Sequence, residues 1–287
     1  MQRILELGAQ IAEGPVWDPS TQTWLFVDIT AELVHRLEPV SGELLTFSVG
    51  QPVSAVLPTS CGRLLLVSLH GLILCESDGT GQSAFGDRLE TDPVLLLNDA
   101  KVDSRGRLWT GSRDRERGSR GHLFRVDGVG RSTVMMEGVS VSNGLGWSPD
   151  ERSFYYIDSL TYGVRVFDFD AETGEIANGR EFCAFHPDSG LPDGLSVDEH
   201  GGVWVAHFGV GMVTRHDPSG ALVAEHHCPT PNVTSLAFGG ALGSEALVTT
   251  AKYKMTDAEL AHSPMAGDVF VASWGVRGVP THPFVIA

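Results

Sequence analysis

Leu191-Pro192-Asp193-Gly194-Leu195-Ser196-Val197 reads as a turn that drops into a short apolar strand with a carboxylate at its mouth. Alone, Pro-Asp-Gly is ordinary turn chemistry: Pro presets φ, Asp bonds its own backbone and Gly supplies φ > 0. The stretch gains weight because its pattern recurs. Glu13-Gly14-Pro15-Val16-Trp17-Asp18, Val53-Ser54-Ala55-Val56-Leu57-Pro58, Asn98-Asp99-Ala100-Lys101-Val102-Asp103, Asn143-Gly144-Leu145-Gly146-Trp147-Ser148 and Thr234-Ser235-Leu236-Ala237-Phe238-Gly239 follow the same plan. After each comes a polar or Gly turn and then an apolar run, at residues 24–28, 64–68, 108–111, 154–158, 203–206 and 246–250. A spacing of roughly 40–50 residues matches the four-strand blade of a propeller better than a helical solenoid repeat.

The expected fold is therefore all-β, a six-bladed β-propeller occupying residues 1–287 as one domain. Composition agrees: glycine is abundant, with 34 residues, and no window sustains a helical period beyond one turn near residues 257–261. No apolar run is long enough to span a bilayer and no signal peptide opens the chain, so the expectation is a cytoplasmic protein without a membrane partner, a monomer or weak homo-oligomer. A net charge of −16 argues against nucleic acid, whose phosphates would be repelled. The four cysteines, Cys61, Cys75, Cys183 and Cys228, lack Cys-x-x-Cys spacing and read as free thiols packed in strands.

In chain order, residues 2–7 read as a strand whose most economical place is the outer edge of the last blade, where it closes the ring and removes a free edge. Blade three carries the charged run Gly111-Ser112-Arg113-Asp114-Arg115-Glu116-Arg117-Gly118, either a solvated hairpin tip or a lid over the channel mouth. In a propeller the innermost strand of each blade lines the channel, so the residues that begin those strands converge although they are distant in sequence. That set is Glu13, Val53, Asn98, Asn143, Asp193 and Thr234. Two carboxylates and two amides in one confined channel are costly unless a positive charge sits among them, and no Lys or Arg holds an equivalent position. A divalent cation meets the need, with Glu13 and Asp193 cancelling its charge and Asn143 adding a neutral carbonyl. Oxygen ligands favour hard ions, and the expected cofactor is one divalent ion, Ca²⁺ first, with Mg²⁺, Mn²⁺ and also Zn²⁺ open, although Zn²⁺ is usually offered His or Cys.

These residues carry a family resemblance. Glu13-Gly14-Pro15-Val16-Trp17, Asn98 through Asp103, Ser142-Asn143-Gly144-Leu145-Gly146-Trp147, Tyr155-Tyr156-Ile157-Asp158-Ser159 and Pro192-Asp193-Gly194 resemble the regucalcin/gluconolactonase family of six-bladed propellers. The resemblance spans nearly the whole chain and implies a metal-dependent lactonase acting on sugar-acid lactones. It implies metal ligands at Glu13, Asn143 and Asp193, a substrate-side contact at Asn98 with Asp99 beside it, and a general acid/base at Asp193. Two departures stand out: Leu96 occupies a position where the family usually has a substrate-binding Arg, and Ala100 replaces a usual Gly. Arg113 or Arg115 could supply the missing cation from the charged run.

The chemistry can be argued without the name. A lactone carbonyl needs an electrophile at its oxygen and a nucleophilic water on its face, which a channel metal with a flanking carboxylate supplies. No Gly-x-Ser-x-Gly elbow competes. His207, in Trp204-Val205-Ala206-His207-Phe208-Gly209, is a candidate channel contact, with a satisfied structural His as the alternative. Two other readings stay open: a phosphotriester hydrolase using the same metal site, and a non-catalytic metal- or metabolite-binding propeller.

Overall fold

The computed structural model describes residues 1–287. Its strands form six four-stranded antiparallel sheets, a six-bladed propeller. The inner strands of blades one to six are Ala12–Asp18, Val53–Pro58, Leu95–Val102, Ser142–Trp147, Leu191–Val197 and Val233–Gly239. Each packs against the next, and the sixth returns to the first. Gln2–Leu5 pairs antiparallel with Val269–Ser273 as the outermost strand of blade six, so the first and last strands of the chain share one sheet and the ring is latched by hydrogen bonds. One short helix, Asp257–His262, interrupts blade six; Thr256 and Glu259 form a reciprocal capping box at its start.

No blade can bury its own faces, and the apolar residues are placed accordingly. They gather into six clusters, each at a boundary between neighbouring blades. Leu57, Leu65 and Val67 of blade two meet Leu97, Leu108 and Phe124 of blade three, and Phe284 from the C-terminal tail caps them. Trp109 meets Leu145, Phe154 and Tyr156 across the next boundary. The central strands, buried on both sides, accordingly read as continuous apolar runs such as Leu64–Ser68, while an outer strand such as Glu175–Ala184 is largely exposed.

The inner strands share a further feature. In all six blades their pairing with the second strand is broken by a bulge next to the channel-facing residue: between Glu13 and Val16, Val53 and Ala55, Leu97 and Ala100, Ser142 and Leu145, Pro192 and Leu195, and Val233 and Ser235. A bulge frees a residue from the ladder and re-aims its side chain. Here it does so toward the axis six times over.

The structure corrects three sequence expectations. In blade two the bulged residue is Ser54, because Val53 stays paired with Ser68. The charged run begins inside a strand, Leu108–Asp114, since the apolar residues Leu95, Leu96 and Leu97 extend the neighbouring inner strand and pair it onward with Asp114, Arg113 and Ser112. Cys75 and Cys183 are strand residues with free thiols, and Cys228 is buried just beyond a strand, but Cys61 is exposed in a turn.

Candidate active site

The channel-facing position does two different jobs around the ring. Ser54 Oγ donates to Asn98 O at 2.7 Å, Asn98 Nδ2 to Ser142 O at 2.8 Å, and Thr234 Oγ1 to Ala12 O at 2.6 Å. Asn143 Nδ2 donates to Ser159 Oγ at 3.0 Å, and Ser159 Oγ to Pro192 O at 2.7 Å. Each bond reaches the inner strand of the next blade, directly or through Ser159, so four of the six positions stitch the ring together. Glu13 and Asp193 make no such stitch. A Glu13 oxygen accepts only the N–H of Gly14, at 2.9 Å.

Three oxygen groups are left facing inward. Glu13, Asn143 and Asp193 are 8, 6 and 9% exposed, and all three line one cavity of about 780 Å³ at one mouth of the channel. Burial holds the Glu13 carboxyl well above the usual carboxylate range, with Asp193 and then Asp99 adding to the effect; the Gly14 N–H and Arg113 oppose it. Asp193 is also raised well above its usual range, first by burial and then by Asp99, against the opposing pull of Asn143 and Arg113. Asn143 Oδ1 is buried and has no hydrogen-bond partner. An orphaned carbonyl that lines one cavity with two buried carboxyls fits a cation, because each of the three oxygens would lower its desolvation cost by ligating one. The donor set of two carboxylates and one amide suits a hard divalent ion, with water or substrate completing the shell. No group of three or more His, Cys, Asp and Glu side chains is gathered for a metal anywhere in the chain, so this donor set relies on the amide of Asn143.

Three glycines make this geometry possible. A Cβ on Gly144 would lie 2.4 Å from Leu195 N, and one on Gly194 would lie 2.6 Å from the Cα of Ser235. Gly14 has φ +56°, and a Cβ there would lie 3.2 Å from Ser54 O. Each glycine directly follows a candidate ligand and lets the inner strand of the next blade close in.

The other expected site residues divide. Leu96, Asn98 and Arg113 line the same cavity. Leu96 and Arg113 face each other in register on adjacent strands, and Arg113 Nε is buried without a partner. Asp99 does not line this cavity. It opens onto a second one of about 220 Å³ toward the other mouth of the channel, shared with Lys101, because consecutive residues at the bulge project to opposite ends. Lys101 Nζ donates to Leu195 O there, and burial brings its ammonium down to about 8 against the pull of Asp99. Asp99 thus acts on Glu13 and Asp193 as a charge beneath them and is not placed to touch a substrate beside them.

His207 is the clearest correction. It is fully buried, its Nε2 lies 2.8 Å from Thr214 Oγ1, and its ring packs edge-on against Phe185. It is absent from the cavity wall, and burial lowers its pKa to about 4. Its place after an apolar strand suggests a channel position, but its side chain faces the boundary between blades. Sequence reasoning misses Ser54, Ser159, Tyr253 and Lys254, which also line the cavity. Alignment on the bulge finds Ser54; Tyr253 and Lys254 follow the second strand of blade six with no motif to mark them.

Residues 11–252 match the model of the SMP-30/gluconolactonase/LRE-like region, and the chain belongs to that family. It is 34% identical to regucalcin of Gallus gallus, over 96% of this chain and 95% of the relative. Among solved structures, a luciferin-regenerating enzyme superposes with a TM-score of 0.92 at 31% identity, covering 99% of this chain and 98% of the other. A calcium-binding protein, regucalcin, from Agrobacterium tumefaciens superposes with a TM-score of 0.93 at 26% identity, covering 99% of this chain and 96% of the other.

Proposed function

We propose that the protein is a lactonase that opens a sugar-acid lactone at the mouth of its channel, with one divalent cation held by Glu13, Asn143 and Asp193. The observation that carries the reading is the inward-facing oxygen trio, with Asn143 Oδ1 buried and unpartnered in the same cavity wall as two carboxyls whose burial raises them. Membership of the gluconolactonase-like family supports the reaction class. The calcium-binding description of the Agrobacterium relative supports Ca²⁺ as the ion, with Mg²⁺, Mn²⁺ or Zn²⁺ as alternatives to be tested. When bound, the cation supplies positive charge at the lactone carbonyl oxygen.

Asp193 is the base. Its carboxylate takes a proton from the attacking water as the water oxygen bonds to the carbonyl carbon, and returns a proton to the ring oxygen as the acyl C–O bond breaks. The product is an open hydroxy acid, which loses its proton at neutral pH, so turnover acidifies the solution. Glu13 holds charge and position without being needed as an acid. Asn98, whose amide nitrogen is committed to Ser142 O, keeps its carbonyl for a substrate hydroxyl or a water. The substrate is a small molecule taken into a cavity about 780 Å³ in volume, large enough for a hexonolactone with several waters.

The test is proton release from a panel of hexono- and pentonolactones and from a phosphotriester, each with and without chelator. Chelator-sensitive opening of at least one lactone supports the reading. Hydrolysis of the phosphotriester alone would replace it with the other ester chemistry, and no turnover with any metal would reduce the site to a binding device.

A further inference from the structure

The protein carries 36 acidic and 20 basic side chains, yet four cations without ion pairs stand around this one cavity. Arg113, Arg115, Arg117 and Lys254 all line it, and none forms a salt bridge or a side-chain hydrogen bond; Lys254 Nζ lies 5.0 Å from the centroid of the Tyr253 ring. The nearby acids are already engaged. Arg120, which does not line the cavity, bonds Asp114 at 2.8 Å and Glu116 at 2.8 Å. Glu13 and Asp193, with the cation that they are suited to hold, form an electrically neutral set. That leaves the rim with positive charge and no internal partner.

Arg113 goes deepest. It is half-buried, with Nε shielded from solvent and unbonded. Burial is the main influence that lowers its pKa, and Arg115 adds to this, while Tyr253, Asp193 and Glu13 pull it the other way. A guanidinium offers several donors in a planar fork that matches a carboxylate or phosphate. An unpaired, partly desolvated Arg aimed into a cavity is costly unless the ligand brings the matching anion.

We propose that the substrate is an anionic lactone, carrying a carboxylate or phosphate remote from its lactone carbonyl, with Arg113 binding that group and Arg115, Arg117 and Lys254 drawing it to the mouth. This rests on the lactonase reading and narrows its substrate class. It also accounts for the charged run of blade three, in which Arg113 is held by the strand while Arg115 and Arg117 sit on the exposed hairpin above it.

The experiment compares kcat/KM for gluconolactone, a glucarolactone and 6-phosphogluconolactone in wild type, Arg113→Ala and Arg113→Lys, at low and high salt. A second readout is calorimetric binding of glucarate, 6-phosphogluconate and gluconate to Ca²⁺-loaded protein. The anionic lactones should exceed gluconolactone at least tenfold at low salt, and the advantage should shrink as salt rises. Arg113→Ala should cut the anionic-to-neutral ratio by roughly 10–100-fold, with Arg113→Lys in between. Which anion binds tells carboxylate from phosphate. The salt dependence of the wild type stands even where a variant fails to fold. Equal kcat/KM for neutral and anionic lactones, insensitive to salt, would overturn this inference and leave the lactonase reading intact. Arg113-dependent anion binding without opening of any lactone would uphold the anion site and reject the lactonase reading.

Discussion

Glu13 and Asp193 are both acids at one ring position, but the proposed chemistry gives them different burdens. Asp193→Asn keeps the volume and one ligating oxygen and cannot accept a proton, so turnover should fall roughly 10²–10⁴-fold while the protein stays folded. Steady-state kinetics beside a thermal melt checks this, and a near-normal kcat would remove Asp193 from the proton transfer. Two residues away from the chemistry give a separate titration. His35 and His207 are buried and held neutral, each with a pKa lowered from 6.5 to about 4 by burial. The unfolded chain binds protons that the folded one does not, so the stability these histidines allow is complete above pH 6.5 and is lost as pH falls toward 4. At about 1.4 kcal/mol per pKa unit, His207 alone accounts for roughly 3 kcal/mol at the acid end. Denaturant midpoints from pH 7 to pH 4 should show a fall that is smaller in His207→Gln. An equal fall in that variant would mean that His207 is not the group being titrated.

At the scale of the strand, the bulge and the glycine after it are one device. Gly194→Ala puts a Cβ 2.6 Å from the Cα of Ser235, where backbone has to move. Overpacking of this kind costs about 1–3 kcal/mol, and here it also pushes apart the inner strands of blades five and six beside Asp193. Gly50, in a turn with nothing near its missing Cβ but with φ +75°, is a control that carries backbone strain away from the site, whereas Gly194 carries the clash without a positive φ. Gly194→Ala should lose more metal affinity than Gly50→Ala, measured by calorimetry, and equal losses would detach the glycine from the site.

The same device explains what is legible in the chain and what is not. The sixfold repeat is legible because each copy pairs a polar residue with a turn and an apolar run, and Glu13, Asn143 and Asp193 are legible because each precedes a glycine. Val53 reads in place of Ser54 because a one-residue slip in a strand reverses every side chain, and only the pairing with Ser68 sets the register. Adjacency groups Asp99 with Asn98, although neighbours on a strand point to opposite ends of the channel. His207 is misplaced from sequence because a blade boundary and a channel wall both follow an apolar strand.

Over the whole molecule, the ring closes twice: the first and last strands, distant along the chain, meet in the sheet of blade six, and the hydrogen bonds of Ser54, Asn98, Asn143 through Ser159, and Thr234 tie neighbouring inner strands at the axis. The two carboxylates left out of that stitching repel each other across the axis, so a bound cation should hold the blades together. A cation at about a hundred times its Kd adds about 2.7 kcal/mol, which for a chain of this size raises Tm by roughly 5 °C. The most direct test of the central claim is therefore a titration of Ca²⁺ into chelator-stripped protein with proton release from a lactone substrate as the signal. Activity should rise from near zero in step with bound metal and saturate at one ion per chain, and in Glu13→Gln the curve should move to at least tenfold higher Ca²⁺. Lactone opening that persists in the stripped protein, or a Glu13→Gln curve that overlies the wild type, would contradict a catalytic cation held by Glu13, Asn143 and Asp193.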